Sequence, residues 1–182
     1  MKIIGVVGLP ASGKGEFSRI ANEMNIPVVV MGDVVRNAVR DAGLKMTDKN
    51  MGEMSRQLRE GLGRDALAQL TISLIESRNS PVVLVDGIRS DGEVETFRSH
   101  FDDFVLIGIR SPFEIRARRL KSRDRSDDVT DEISLRSRDE RELGWGLGAA
   151  LEMSEYTLNN EGTIESFEGK VRDILKKIGS ER

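Results

Sequence analysis

Gly8-Leu9-Pro10-Ala11-Ser12-Gly13-Lys14-Gly15 follows an apolar run at residues 2–7 and precedes a segment with helical character. Strand, glycine-rich turn and helix in that order make the context in which a turn cradles phosphate. Glycines let the backbone curl until successive N–H groups and the next helix N-terminus face one anion, while Lys14 reaches the outer phosphates. A nucleoside triphosphate is the implied ligand, contacted by residues 8–15 and by Glu16 beside them.

Working outward, short apolar and β-branched runs recur at residues 3–7, 28–31, 82–85, 104–109 and 156–158, with helical stretches between them. Runs that do not alternate with polar residues belong to strands buried on both faces, so the pattern predicts a five-stranded parallel sheet in a three-layer α/β fold. The last helix has the clearest period. Ile164, Phe167, Val171, Ile174, Leu175 and Ile178 share one face that should pack on the sheet.

Two segments exceed what such a sheet needs. Residues 33–79 hold more helical sequence than one crossover requires, which predicts a helical cap over the ligand. Residues 116–148 are dense in arginine and acid and close with Gly144-Trp145-Gly146-Leu147-Gly148, which reads either as a short charged lid with a hinge or as a solvated, salt-bridged helix. The chain of 182 residues suits one domain over 1–182 with a substantial core.

Charge excludes some partners. With 28 Lys plus Arg against 31 Asp plus Glu, no net field draws the chain to nucleic acid or an anionic membrane. No cysteine is present, which rules out disulfides and thiolate metal sites and suits a reducing cytoplasm. No run approaches a membrane span and no secretory leader is legible, so a cytoplasmic location is expected.

Ligands of parallel sheets bind beyond the carboxyl ends of the strands, which gives weight to the residues there. After the second run comes Gly32-Asp33-Val34-Val35-Arg36, and after the third Asp86-Gly87-Ile88-Arg89. Each pairs a carboxylate with an arginine three residues on. An arginine can grip an acceptor phosphate with two parallel bonds; a carboxylate can hold Mg²⁺ through water or orient a hydroxyl. His100, the single histidine, sits near the end of a polar helix with no catalytic company, and the methionines at 31, 46, 51 and 54 read as packing or adaptable cap surface.

These stretches resemble the nucleoside monophosphate kinase branch of P-loop phosphotransferases, which includes adenylate kinase and dephospho-CoA kinase. Gly32-Asp33-x-x-Arg36 resembles the segment that opens the acceptor-binding helices, and Asp86-Gly87-Ile88-Arg89 is similar to D-G-x-P-R, one residue shorter and without the proline. Arg119-Leu120-x-x-Arg123 matches R-[IL]-x-x-R, which implies Arg119 beside the donor adenine and Arg123 at phosphate. Arg125-Ser126-Asp127-Asp128 with Arg136 resembles R-x-D-D and the later arginine that closes on the transferring group. Ile26-Pro27-Val28 leading to Asp33 looks like the dephospho-CoA kinase segment that carries its general base, and the stretch ending Asn159-Asn160-Glu161-Gly162 is similar to the one lining its adenine pocket, which brings in Asn160. The whole chain is similar to a group of archaeal proteins related to both kinases.

The resemblance implies ATP and Mg²⁺ as cofactors and phosphoryl transfer to a small nucleotide-like acceptor, a monophosphate or a dephospho-CoA-like hydroxyl. Lys14, Asp33, Arg123, Arg125 and Arg136 are its catalytic candidates. Arg36 and Arg89, with Asp33, Asp86 and Gly87, would meet the acceptor. Two departures stand out. P-loops usually place Ser or Thr just after the lysine to hold Mg²⁺, whereas Gly15 and Glu16 stand here, which leaves Glu16, Asp33 and Asp86 as metal candidates through water. Little chain separates Arg123 from Arg125, so any lid is short. A nucleotide-binding switch or ATPase engaging a protein or RNA is the alternative, with RNA disfavoured because acids interleave the arginines.

Overall fold

The structure is a computed structural model that describes residues 1–120 and 132–180. All five strands are parallel, in the order β2-β3-β1-β4-β5. Strand β1 (Lys2–Gly8) lies at the centre, between β3 (Val82–Ile88) and β4 (Phe104–Arg110), with β2 (Val28–Val30) and β5 (Tyr156–Asn159) at the edges. Each of the five apolar runs in the sequence is a strand. The β2 run ends one residue earlier than its hydrophobicity suggests, because Met31 opens the following helix.

Alternate side chains of the central strands feed two separate cores, which makes the three layers. Ile4, Val6, Leu84, Ile107 and Ile109 meet Phe17 and Ile20 of α1 (Lys14–Glu23) and Phe167, Val171, Leu175 and Ile178 of α9 (Ile164–Ser180). The apolar stripe of α9 therefore lies on the sheet as its period predicts, except that Ile164, in its first turn, is exposed. On the other face Ile3, Val7, Val83, Val85 and Leu106 pack on Val35, Leu67, Ile75, Val94, Phe97 and Leu147. Each fully buried Leu, Ile, Val or Phe contributes roughly 1.5–3 kcal/mol relative to exposure. These two cores fix the strand ends to which everything functional is attached.

Between β2 and β3 the chain makes α2 (Met31–Asp41), α3 (Asp48–Leu62) and α4 (Ala66–Glu76), the helical cap segment. Thr47 caps α3, its hydroxyl accepting from the N–H of Asn50 at 3.2 Å. Helix α5 (Asp91–His100) starts under the Ser90 cap, whose hydroxyl accepts from the N–H of Glu93 at 3.1 Å. Among the described residues, helices α6 (Phe113–Leu120), α7 (Glu132–Gly144) and α8 (Leu147–Glu152) lie between β4 and β5.

Candidate active site

The turn after β1 has the backbone that a phosphate cradle requires. Gly13 sits at φ 122°, and even Ala11 adopts the left-handed region at φ 60°. A side chain at Gly13 would collide with Nδ2 of Asn160 and lie 3.1 Å from the Phe167 ring. Gly8 is equally confined, since a Cβ there would be 2.6 Å from Oγ of Ser12 and 2.8 Å from the Ile109 carbonyl. Nδ2 of Asn160 donates to the Ser12 carbonyl at 2.8 Å, and Arg119 in turn donates to Oδ1 of Asn160 at 2.9 Å. The arginine, the asparagine and the turn thus form one braced unit, although they are far apart in sequence.

Lys14 opens α1 and folds back over this turn, donating from Nζ to the carbonyls of Gly8 at 2.5 Å and Leu9 at 3.1 Å. Burial lowers its pKa to about 8, against the opposing pull of the Glu142 and Asp86 carboxylates. An anion bound beside this ammonium would raise its pKa again.

Opposite Lys14 opens a cleft of about 500 Å³, walled by Pro10, Ala11, Gly13 and Gly15 on one side and by strand ends on the other. Asp33 and Arg36, from the first turns of α2, and Asp86, Gly87 and Arg89, from the end of β3, all line it. Arg36 donates to Asp33 at 2.7 Å. Asp86 is nearly buried and accepts from the hydroxyl of Ser18 at 2.9 Å. The register of β1 on β3 shifts between Val6 and Val7, which pair with Asp86 and Ile88. Gly87 takes up the extra residue at φ 102°, a bulge that re-aims Asp86 and Arg89 toward the cleft.

Among the described residues of the charged segment after β4, one face is buried and ion-paired and is not solvated. Arg116 of α6 is buried and forms a fork with Asp139 of α7 at 2.8 and 2.6 Å, while the same guanidinium reaches the carbonyl of Pro10 in the turn at 3.1 Å. Arg138 lines the cleft and donates to the buried Glu142 at 3.1 Å; Arg89 approaches the same carboxylate at 3.7 Å. Burial pushes the Glu142 carboxyl upward, but Arg89, Arg138 and Lys14 outweigh it and hold the group below its usual range.

Two placements differ from the sequence reading. Arg136 does not line the cleft: its guanidinium lies 3.9 Å from the centroid of the Phe113 ring. Arg138 takes the cleft position, because two residues along a helix turn the side chain by about 200° at about 100° per residue. Glu16 also faces elsewhere. It accepts from Nε of Arg19 at 2.8 Å and borders a second cavity of about 290 Å³ with Gly13, Arg119, Asn160, Gly162 and Phe167. Asp33 and Asp86 remain in the main cleft as metal candidates. Arg123 and Arg125 lie outside the described residues.

Several side chains at the cleft carry no local sequence signal. Glu93 is buried under Arg89 and accepts from its backbone N–H at 2.7 Å and from Arg59 at 2.7 Å. Burial raises the Glu93 pKa against those partners. Arg59 also lies 4.4 Å from the Trp145 ring centroid. Asp48, at the start of α3, receives a fork from Arg141 of α7 at 3.0 and 2.9 Å. Gly52 makes room for that contact, since a Cβ there would be 3.0 Å from the Arg141 guanidinium. The sequence signal that was available is only the spacing of Arg138 and Arg141 on α7, which puts both on one helical face.

A central β1 followed by a phosphate-cradling turn, in a 2-3-1-4-5 parallel sheet with a helical cap, defines a P-loop protein of the kinase-like α/β class. Residues 7–136 match the family model described as an AAA domain. The chain belongs to the UPF0200 family: it is 57% identical to a UPF0200 protein of Methanoculleus marisnigri over 98% of both chains, and 53% identical to one of Methanoregula boonei over the full length of each. Among solved structures it is similar in fold to the shikimate kinase of Acinetobacter baumannii in complex with shikimate, with a TM-score of 0.63 at 16% identity over 100% of this chain and 95% of that one. TT1252 from Thermus thermophilus shares the fold at a TM-score of 0.66 and 14% identity, covering 97% of each chain.

Proposed function

We propose that residues 1–182 act as one P-loop kinase domain, moving the γ-phosphate of ATP to a small nucleotide-like acceptor, a monophosphate or a dephospho-CoA-like hydroxyl. The observation that carries this reading is the single cleft in which Lys14 and the turn face Asp33, Arg36, Asp86 and Arg89. A hydrolase needs only the first wall; the second wall provides for an acceptor.

In this reading the turn amides and Lys14 hold the outer phosphates, and the nucleoside occupies the cavity of Gly13, Arg119, Asn160, Gly162 and Phe167. The residues fit Mg²⁺ by their chemistry. They offer hard oxygen donors, Asp86 and Asp33, and among the described residues no cluster of three His, Cys, Asp or Glu forms a dedicated cage. Magnesium typically takes one or two carboxylates plus substrate phosphates. Bound there, it would neutralise charge on the outer phosphates.

The transferring group passes through a loose, highly charged state, so alignment and positive charge do most of the work. Lys14, Arg89 and Arg138 supply that charge; the family resemblance adds Arg123 and Arg125, which lie outside the described residues. Arg36 and Arg89 hold the acceptor. A monophosphate oxygen attacks without a base; for a hydroxyl, Asp33 takes the proton.

Incubation with γ-labelled ATP and a panel of nucleoside monophosphates plus dephospho-CoA tests the reading. A labelled acceptor is the expected result. Label released only as free phosphate, at a rate indifferent to every acceptor, would replace it with an ATPase switch.

A further inference from the structure

The position after Lys14, where a P-loop hydroxyl would ordinarily reach the metal, is Gly15, which lines the cleft and brings no side-chain oxygen to it. A hydroxyl does stand one turn further along α1, at Ser18. Ser18 is buried and is not part of the cleft wall, so it does not meet a ligand there itself. Its hydroxyl donates to Oδ2 of Asp86 at 2.9 Å, across the gap from α1 to the end of β3. A serine inside a helix commonly bonds back to the carbonyl one turn before it. Here it reaches out of the helix to a carboxylate, and both partners are shielded from water.

Asp33, the other carboxylate of the cleft, is similarly committed, since its Oδ1 accepts from Arg36 at 2.7 Å. Each acid thus enters the cleft with one oxygen already engaged. The two engagements differ in firmness: Asp33 is exposed, whereas Asp86 is buried and follows the bulge at Gly87. Cation size separates what such acids can hold. Calcium accepts many oxygens and often takes both from one carboxylate, whereas Mg²⁺ keeps several waters and needs only one or two carboxylates beside substrate phosphates.

We propose that Ser18 is the positioning residue that makes the metal–nucleotide site selective for Mg²⁺: by occupying Oδ2 of Asp86 it leaves Oδ1 as the oxygen available to the cleft and bars two-oxygen chelation of a larger cation. This rests on the phosphotransferase reading through its metal–nucleotide complex alone. It also accounts for a P-loop without the usual hydroxyl. The oxygen that faces the metal comes from β3, and α1 keeps control of its direction.

Metal binding, measured apart from turnover, tests the assignment. Full-length protein saturated with ADP is loaded with Mn²⁺, which Mg²⁺ or Ca²⁺ then displaces while electron paramagnetic resonance reports the freed Mn²⁺. The parent should prefer Mg²⁺ over Ca²⁺ more strongly than free ADP does. Ser18→Ala, which releases Oδ2, should lower that ratio by about fivefold or more, and Ser18→Thr, which keeps the hydroxyl, should hold it near the parent's. Loss of a merely structural contact would lower the unfolding temperature and leave the ratio alone. If the alanine variant does not fold, Ser18→Cys, close to serine in size and a weaker donor, is read in its place with the same sign. An unchanged ratio in the folded variant, or a parent ratio equal to that of free ADP, overturns the role of Ser18. If calorimetry shows that ADP itself fails to bind, the phosphotransferase reading falls and takes the selectivity with it; ADP binding with an unchanged ratio sinks the selectivity alone.

Discussion

The two walls of the cleft are built on different principles. The wall carrying Lys14 is made of backbone: Gly8 and Gly13 are held by contacts that exclude any side chain, and Asn160 and Arg119 brace the turn from behind. The facing wall is made largely of long side chains gathered from α2, the end of β3 and α7 and held by ion pairs, Arg36 with Asp33 and Arg138 with Glu142. A backbone cradle serves any phosphate tail and tolerates little change. A wall of paired side chains can be retuned residue by residue, which is how one fold accommodates different acceptors.

If that contrast is real, damage to the first wall should be total and damage to the second graded. Lys14→Ala should lower phosphoryl transfer by about 10³-fold or more with every acceptor, through lost charge at the transferring group; turnover close to the parent's would remove Lys14 from the chemistry. Asp33→Asn should cost about 10²-fold with a hydroxyl acceptor and far less with a monophosphate. An equal loss with both would mean that Asp33 serves metal or structure instead.

Arg138→Gln and Arg136→Gln make a sharper pair within the second wall. The first should reduce kcat/KM by about tenfold or more, and the second should change it little, because Arg136 stacks on Phe113 outside the cleft. The reverse order would restore Arg136 as the closing arginine.

The smallest effect is in pH. The Lys14 pKa is depressed from 10.5 to about 8 by burial, so between those values the unfolded chain holds more protons than the native one. From this group, stability is penalised below about pH 8 and rises with pH through that window. Bound phosphates should drive the lysine back toward its charged form. Nucleotide binding near pH 8–9 should then take up protons, measured by calorimetry in buffers of different ionisation enthalpy. Binding heats that do not vary with the buffer would argue against anion contact at Lys14.

How much of this was readable in the sequence follows the same division. All five strands were legible, because both-face burial writes itself as uninterrupted apolar runs. The turn and the strand-end residues Asp33, Arg36, Asp86 and Arg89 were legible as cleft lining because each stands next to a strand end in the sequence, although Asp86 meets Ser18 and Arg89 meets Glu142 rather than each other. The α7 contribution was not. Arg136 and Arg138 differ only in helical phase, and nothing in the sequence sets the rotation of α7; the buried fork of Arg116 with Asp139 sets it. Charge density read as either a lid or a solvated helix for the same reason, since a buried ion pair and an exposed one have identical composition. Glu93 and Trp145 were opaque because their roles come from tertiary contacts with Arg59 and Arg89.

Calorimetric titration of the full chain with Mg-ATP, beside its Lys14→Ala variant, bears most directly on the claim that the turn after β1 is an anion cradle. One saturable site in the parent, abolished or greatly weakened in the variant, is the predicted result. No binding by the parent, or equal binding by both proteins, would contradict the account at its root.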